Sequence, residues 1–213
     1  MSSGSRYYTP ASGSRPRPPS ADARRNRARV LGAARTCFAE SGLEAQVDEI
    51  ARCAGVGVGT VYRHFPTKEA LYEALAADHL LRLAATAREA LGGADSWEAF
   101  SGFMRRSAEL QASDRALAEV MAAQPEVLRD AARGREDLHS AVAELVSRAQ
   151  AAGSLRPDVV PADVPMLMCG IARATRSAGG PGMSWERYLA IVLDGLRVGG
   201  RSELPPPPAE GCA

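Results

Sequence analysis

Gly57, Val58, Gly59, Thr60, Tyr62, Arg63, His64 and Lys68 crowd into one short stretch of the chain. Thr60 and Tyr62 offer hydroxyls, and Arg63 and His64 offer cationic or polar tips. Gly57 and Gly59 present bare backbone, which lets a bulky anion come close. The chemistry that suits this set is contact with phosphate oxygens and base edges. Lys68 is the only lysine among 26 basic residues. It falls in the first turn of an expected helix, where the macrodipole disfavours a cation. A phosphate bound at that N-terminus would offset the penalty, because free amides and a lysine both suit an anion. The plain alternative is a solvated lysine.

These residues need two short helices to hold them. Val47, Ile50, Ala51 and Ala54 recur at helical spacing and predict a two-turn amphipathic helix. Gly55 follows, where a helix needs a left-handed residue to stop, and Val56 is a candidate plug for the turn. A second piece, Val58 to Phe65, must end before Pro66. Thr67 then caps a third helix. Two short helices across a tight glycine turn is the layout of a helix-turn-helix, whose second helix enters the DNA major groove.

The run A-G-V-G-V-G-T-V-Y-R-H-F-P-T-K-E-A-L, Ala54 to Leu71, resembles the signature of the TetR family of bacterial transcriptional regulators. The likeness is dense from Val30 to Leu75; beyond that only the helical pattern agrees. Gln46 stands where the family often has a capping Thr or Ser, and Gly57 where it often has Ser. The resemblance implies an all-α protein of about nine helices, with a three-helix helix-turn-helix head followed by a helical ligand-binding and dimerisation body. It implies double-stranded operator DNA as a partner, a homodimer joined through the last two helices, and a small-molecule effector. Expected bounds are a disordered arm over 1–20, the head over 21–66, the body over 67–200 and a disordered tail over 201–213.

The totals agree with such a division. The 213 residues carry a net charge of +1. The charge is uneven: residues 1–21 carry +3, residues 22–68 another +3, and the remainder −5. A basic head on an acidic body suits a protein that meets DNA by one end. Arg24, Arg25 and Arg27 open the first helix and are candidates for phosphate contact. The leader with Arg6, Arg15 and Arg17 is an inert segment or an arm that samples the minor groove. No apolar run is long enough for a membrane span, and the N-terminus lacks a signal-peptide core, so a cytoplasmic location is expected. The four cysteines, Cys37, Cys53, Cys169 and Cys212, form no C-x-x-C pair. A zinc site is therefore not expected. Cys37 and Cys53 read as small core residues or as a redox pair.

Along the chain, Val30, Leu31, Ala34 and Phe38 stripe a first helix over about 22–40. Phe38, Ile50, Val61 and Phe65 are the expected core of the head. A long helix from Thr67 to about Leu91 belongs to both halves and is the expected mechanical link. Asp95 to Glu98 is a D-x-x-E capping box opening a helix with Trp97, Phe100, Phe103 and Met104. Short helices are expected over about 114–121 and 127–133. A longer one carries Leu138 to Ala149, ending by Gly153, and another runs from Asp163 to about Ala178. Ser184 is expected to cap the last helix, with Met183 and Tyr188 as a staple and Leu189, Ile191, Val192 and Leu196 along it.

Three functions of different classes compete. An enzyme is poorly supported, since His64, His79 and His139 sit apart and no nucleophile elbow, phosphate loop or metal cluster appears; no cofactor is expected. A DNA-binding protein without a ligand, constitutive or redox-responsive, would need little more than the head. The long body favours a dimeric repressor released from its operator by a small ligand. Trp97, Phe100, Phe103, Met104, Met121, Gln124 and Met166 are candidate pocket residues or plain core, and Arg173 is a candidate partner for an anionic ligand. Gly170, Val192, Gly195 and Leu196 are the candidate dimer face.

Overall fold

The computed structural model describes residues 20–114, 116, 117, 120, 132–177, 184–199 and 204. The expected arm, the helices over 114–121 and 127–133, Met121, Gln124, Met183 and the tail with Cys212 fall wholly or largely outside them. Eight α-helices are described: α1 (Ala21–Ser41), α2 (Val47–Ala54), α3 (Val58–His64), α4 (Lys68–Leu91), α5 (Ser96–Ser113), α6 (Ala132–Ala151), α7 (Asp163–Ser177) and α8 (Trp185–Leu196). A 3₁₀ turn, Gly42–Glu44, joins α1 to α2. Among the described residues there is no strand; a single antiparallel bridge pairs Leu155 with Arg197.

Local chemistry sets several of the boundaries. The Ser20 hydroxyl accepts from the Ala23 amide at 3.2 Å and starts α1. Thr67 accepts from Ala70 at 3.2 Å and starts α4, and Asp95 accepts from Glu98 at 2.9 Å and starts α5. Each supplies an acceptor for an amide that the helix cannot satisfy. Ser184 stands at the head of α8 but makes no such bond; its hydroxyl donates instead to the Glu186 carboxylate.

The apolar residues collect into two cores. The first joins Val30, Ala34 and Phe38 of α1, Ile50 and Ala54 of α2, Val61 and Phe65, and Leu71, Tyr72 and Leu75 of α4. Ala116, Leu117 and Val120, beyond α5, complete it. The second joins Ala87 and Ala90 of α4 to Trp97, Phe100, Phe103 and Met104 of α5, and to apolar residues of α6, α7 and α8. The long helix thus buries its first turns in one core and its last turns in the other. Its most extensive packing is on α6. Gly134 makes that packing close, because a Cβ there would sit 2.9 Å from the Leu80 Cβ. Arg148 of α6 donates to the Leu91 carbonyl and, at 3.0 Å, to that of Gly93, closing the C-terminal end of α4.

Between the two cores lies a set of charges. Asp114 is buried. Its carboxylate receives Arg82 of α4 at 2.7 Å and Arg35 of α1 at 3.5 Å, and it accepts the Leu117 amide at 3.1 Å. Arg35 also reaches Asp78 at 2.9 Å. His79 is buried beside this set, its Nδ1 4.0 Å from Asp114. Burial, helped by the Arg82 and Arg35 charges and opposed by Asp114, pushes His79 down to about 4.

Candidate nucleic-acid interface

The turn between α2 and α3 is built on Gly55. Its φ of 61° and ψ of 41° lie in the left-handed region, and the Val56 amide returns to the Ala51 carbonyl at 3.0 Å. These are the marks of a glycine-closed helix end. Arg29 of α1 donates to the Gly55 carbonyl at 3.0 Å. The approach is so close that a Cβ on Gly55 would lie 2.7 Å from Arg29 Nη2. Residue 55 therefore needs glycine for its left-handed backbone, whereas the tip of the flexible Arg29 side chain could swing aside from an added Cβ.

The helix that follows is two-sided. Val61 is fully buried, and Phe65, just past the helix, is 2 % exposed; the pair forms the inner face. Gly57, Gly59, Tyr62 and Arg63 are exposed on the outer face, with Val58, Thr60 and His64 half-buried at its edges. Arg63 donates to the Thr60 hydroxyl at 3.2 Å. An added Cβ on Gly57 or Gly59 would meet nothing within 4 Å, and neither has a positive φ. The fold itself does not require glycine at either place. The capping positions of α2 and α3, Gln46 and Gly57, carry no side-chain cap bond, as the departures from the family pattern imply.

The arginines of α1 divide. Arg24 is exposed and lines a cleft with Arg27, Leu31, Arg35 and Asp78. Arg25 pairs with Asp22 on an exposed turn. The Arg27 guanidinium lies 5.0 Å from the centre of the Phe65 ring, tying α1 to the end of α3. Lys68 Nζ donates to the Leu43 carbonyl at 2.7 Å. The first turn of α4 also holds an anion of its own. The Glu69 carboxyl is lowered by its backbone amide and the Thr67 hydroxyl. An external phosphate at that N-terminus would share it with Glu69.

The residues expected to line a ligand pocket do not all converge. Trp97, Phe100, Phe103 and Met104 sit together in the second core, each buried. Met166 is 74 % exposed and Arg173 is exposed too, so neither faces that core. The candidate dimer residues also part. Gly170 and Gly195 are exposed, whereas Leu196 is buried and Val192 packs against the second core. Leu196 completes the core because its neighbours Leu189 and Leu193 share the inward face of α8. Ile191, on the same helix, points outward. The spacing of the sequence does not single out Arg29 or Arg82; their partners lie 26 and 32 residues away, beyond any local spacing rule.

Comparison with known proteins gives this arrangement its context. Residues 30–75 match the family model "Bacterial regulatory proteins, tetR family". Residues 95–198 match "Transcriptional regulator SbtR-like, C-terminal domain". The chain is 32% identical over 174 residues to the HTH-type transcriptional repressor Rv1474c of Mycobacterium tuberculosis, covering 80% of this chain and 79% of that protein. A crystal structure of a TetR regulator from Mycobacterium vanbaalenii is 39% identical and superposes with a TM-score of 0.64, over 84% of this chain and 98% of that one. A TetR regulator from Streptomyces coelicolor is 35% identical, with a TM-score of 0.61 over 80% and 98% of the two chains. A helix-turn-helix with an open outer face, a second helical core behind it and this degree of likeness at both levels lead to one conclusion: the chain belongs to the TetR family, as a DNA-binding transcriptional regulator of the repressor type.

Proposed function

We propose that the protein is a dimeric repressor whose hold on its operator is weakened by a small apolar ligand in the body. The observation that carries this reading is the placement of α4, which buries Leu71, Tyr72 and Leu75 in the first core and Ala87 and Ala90 in the second. A ligand wedged among Trp97, Phe100, Phe103 and Met104 would press on the same core as the end of α4. Its displacement would change the spacing of two heads that the operator holds fixed.

The DNA contacts belong to the outer face of α3: Gly57, Val58, Gly59, Thr60, Tyr62, Arg63 and His64. Gly57 and Gly59 have no internal need of glycine, which supports a close external approach there. Arg24, Arg25 and Arg27 of α1 add phosphate contacts, a role supported by the packing of the Arg27 guanidinium on Phe65 at the end of α3. Lys68 has two further N–H donors for a phosphate beyond the one given to Leu43. The dimer face is read from α7, α8 and the turn after it, where Met166, Ile191 and Val198 leave 74 %, 60 % and 55 % of their surface exposed. Gly170 and Gly195 open onto free space nearby, which suits close helix approach. Leu196 belongs to the fold of each protomer.

Ligand and operator must oppose each other reciprocally. The test is calorimetry of a small lipophilic compound, chosen by thermal shift, against the protein alone and against the protein saturated with a duplex selected from a random pool. A loss of ligand affinity on DNA of roughly 5–150-fold is expected. Equal affinities in the two titrations would remove the compound as an effector.

A further inference from the structure

We propose that Cys37 and Cys53 form a thiol–disulfide site within the DNA-binding head, oxidised by a peroxide and read out as a change in DNA affinity. Neither cysteine is used by the reading above, and the two stand on different helices, α1 and α2, which pack against each other. Cys53 is exposed. It opens on a cleft of about 520 Å³ between the two helices, lined also by Arg29, Thr36, Arg52 and Gly55. Cys37 lies behind it, 1 % exposed, in the first core. Cys53 is near enough to act directly on the Cys37 thiol, and the helices that carry the two pack side by side. One sulfur that an oxidant can meet and a second one waiting beneath it make the arrangement of an attacking and a resolving thiol.

The roles follow from the surroundings. Burial, then the hydrogen bond and charge of Cys53, with Glu49 and Glu40 adding, push the Cys37 thiol up to about 11. Cys37 therefore stays protonated near neutral pH and is sheltered from a dissolved oxidant. Cys53 meets the peroxide first, because it is the exposed one of the two and lies in an open cleft that Arg29 and Arg52 also line. The Cys53 thiolate attacks one peroxide oxygen. An S–O bond forms, the O–O bond breaks, and the departing hydroxide takes up a proton to become water. Sulfur is oxidised by two electrons to a sulfenic acid. The Cys37 sulfur then attacks Cys53 Sγ. The S–S bond forms, the S–O bond breaks, and the Cys37 proton leaves with the hydroxide as a second water.

The cross-link would not be silent. It draws the Cys37 sulfur from its place among the core residues of α1 and α2 and pins α2 to α1 at the end nearest Gly55. That end sets the turn into α3, so the outer face of α3 must shift with it.

The test uses the full chain, reduced and then treated with a small excess of hydrogen peroxide. Peptide mapping should find Cys37 joined to Cys53, with the loss of two hydrogens. The linkage should persist in a Cys169→Ser, Cys212→Ser variant and vanish in Cys53→Ser. Cys37→Ala should instead leave a Cys53 sulfenic acid that dimedone labels. If Cys37→Ala does not fold, Cys53→Ser at its exposed site still decides the matter. Oxidation confined to Cys169 or Cys212, a cross-link only between chains, or a Cys53 sulfinic acid without a cross-link would overturn the site. Affinity for a duplex selected on the reduced protein should change within the usual coupling range of roughly 5–150-fold, reversed by dithiothreitol. Unchanged affinity in the mapped disulfide form would overturn the switch. The mapping needs no DNA, so failure to select any duplex would count against the DNA-contact reading, while the mapped peptides alone would still establish or overturn the disulfide.

Discussion

Arg82 of α4 and Asp114, beyond the end of α5, meet at 2.7 Å, with the Asp114 side chain only 4 % exposed. The bond joins the helix that spans both cores to a residue whose carboxylate also accepts the Leu117 amide at 3.1 Å, and Leu117 is packed into the first core. Removing one partner of a buried pair leaves the other charge uncompensated. Asp114→Ala is expected to cost about 2–4 kcal/mol, tempered by the partial exposure of Arg35 and Arg82. Urea unfolding would measure it. A change under about 1 kcal/mol would mean that the arginines find solvent easily.

His79 sets a pH dependence. Its folded value of about 4 is below the ordinary 6.5, with burial as the main cause. The unfolded chain therefore binds a proton between those values and the folded chain does not. Stability is complete above pH 6.5 and falls as pH drops towards 4, by about 3 kcal/mol in all from this residue. His79→Gln should lose less stability over that window than the parent by the same amount. Parallel pH profiles of the two proteins would show that His79 opens to water.

Gly134→Ala tests the contact between α6 and α4. The new Cβ would lie 2.9 Å from Leu80 Cβ and 3.4 Å from the Ala77 carbonyl oxygen. Overpacking of this kind costs about 1–3 kcal/mol, offset by the roughly 1 kcal/mol that alanine gains over glycine in a helix. A lowered Tm is expected, and an increase would show that α4 and α6 part without penalty.

Ile191→Glu and Leu196→Glu should behave differently although they share α8. Leu196 is 7 % exposed in the second core, so a glutamate there desolvates a charge and should unfold the body. Ile191 is 60 % exposed in the protomer, so the fold tolerates the charge. Light scattering should give a folded monomer for Ile191→Glu, with helicity kept by circular dichroism. A folded Ile191→Glu dimer would move the interface off this face.

Lys68→Ala and Tyr62→Phe separate support from contact. Lys68→Ala loses the bond to Leu43 and about 1 kcal/mol of stability. It should also reduce the salt slope of log K for DNA by about one. Tyr62 is 49 % exposed, so Tyr62→Phe should weaken DNA binding with the Tm unchanged. An anisotropy titration against salt that finds both variants equal to the parent would take both residues off the interface.

Much of the head, and the starts of α4 and α5, are legible in the residue order, because their signals are local. Thr67 and Asp95 cap the helices that their types predict, and Phe38, Ile50, Val61 and Phe65 meet as their periodicity requires. The outward turn of Ile191 and Met166 is not legible. Helix α8 carries Leu189, Ile191, Val192, Leu193 and Leu196, more apolar residues than one stripe can hold, so spacing alone does not choose the buried face. The long-range partners are closed to view for another reason. Arg29 and Gly55, or Lys68 and Leu43, become neighbours only once α1 has folded back on the turns that follow it.

Helix α4 is fastened close to both ends: Lys68 holds the Leu43 carbonyl, and Arg148 holds those of Leu91 and Gly93. Its 24 residues make a rod about 36 Å long at 1.5 Å per residue. A tilt of about 5° about the Arg148 clamp would swing the Lys68 end by about 3 Å, the length of one hydrogen bond. Leverage of that size would turn a sub-ångström push in the second core into a whole contact made or lost at the first.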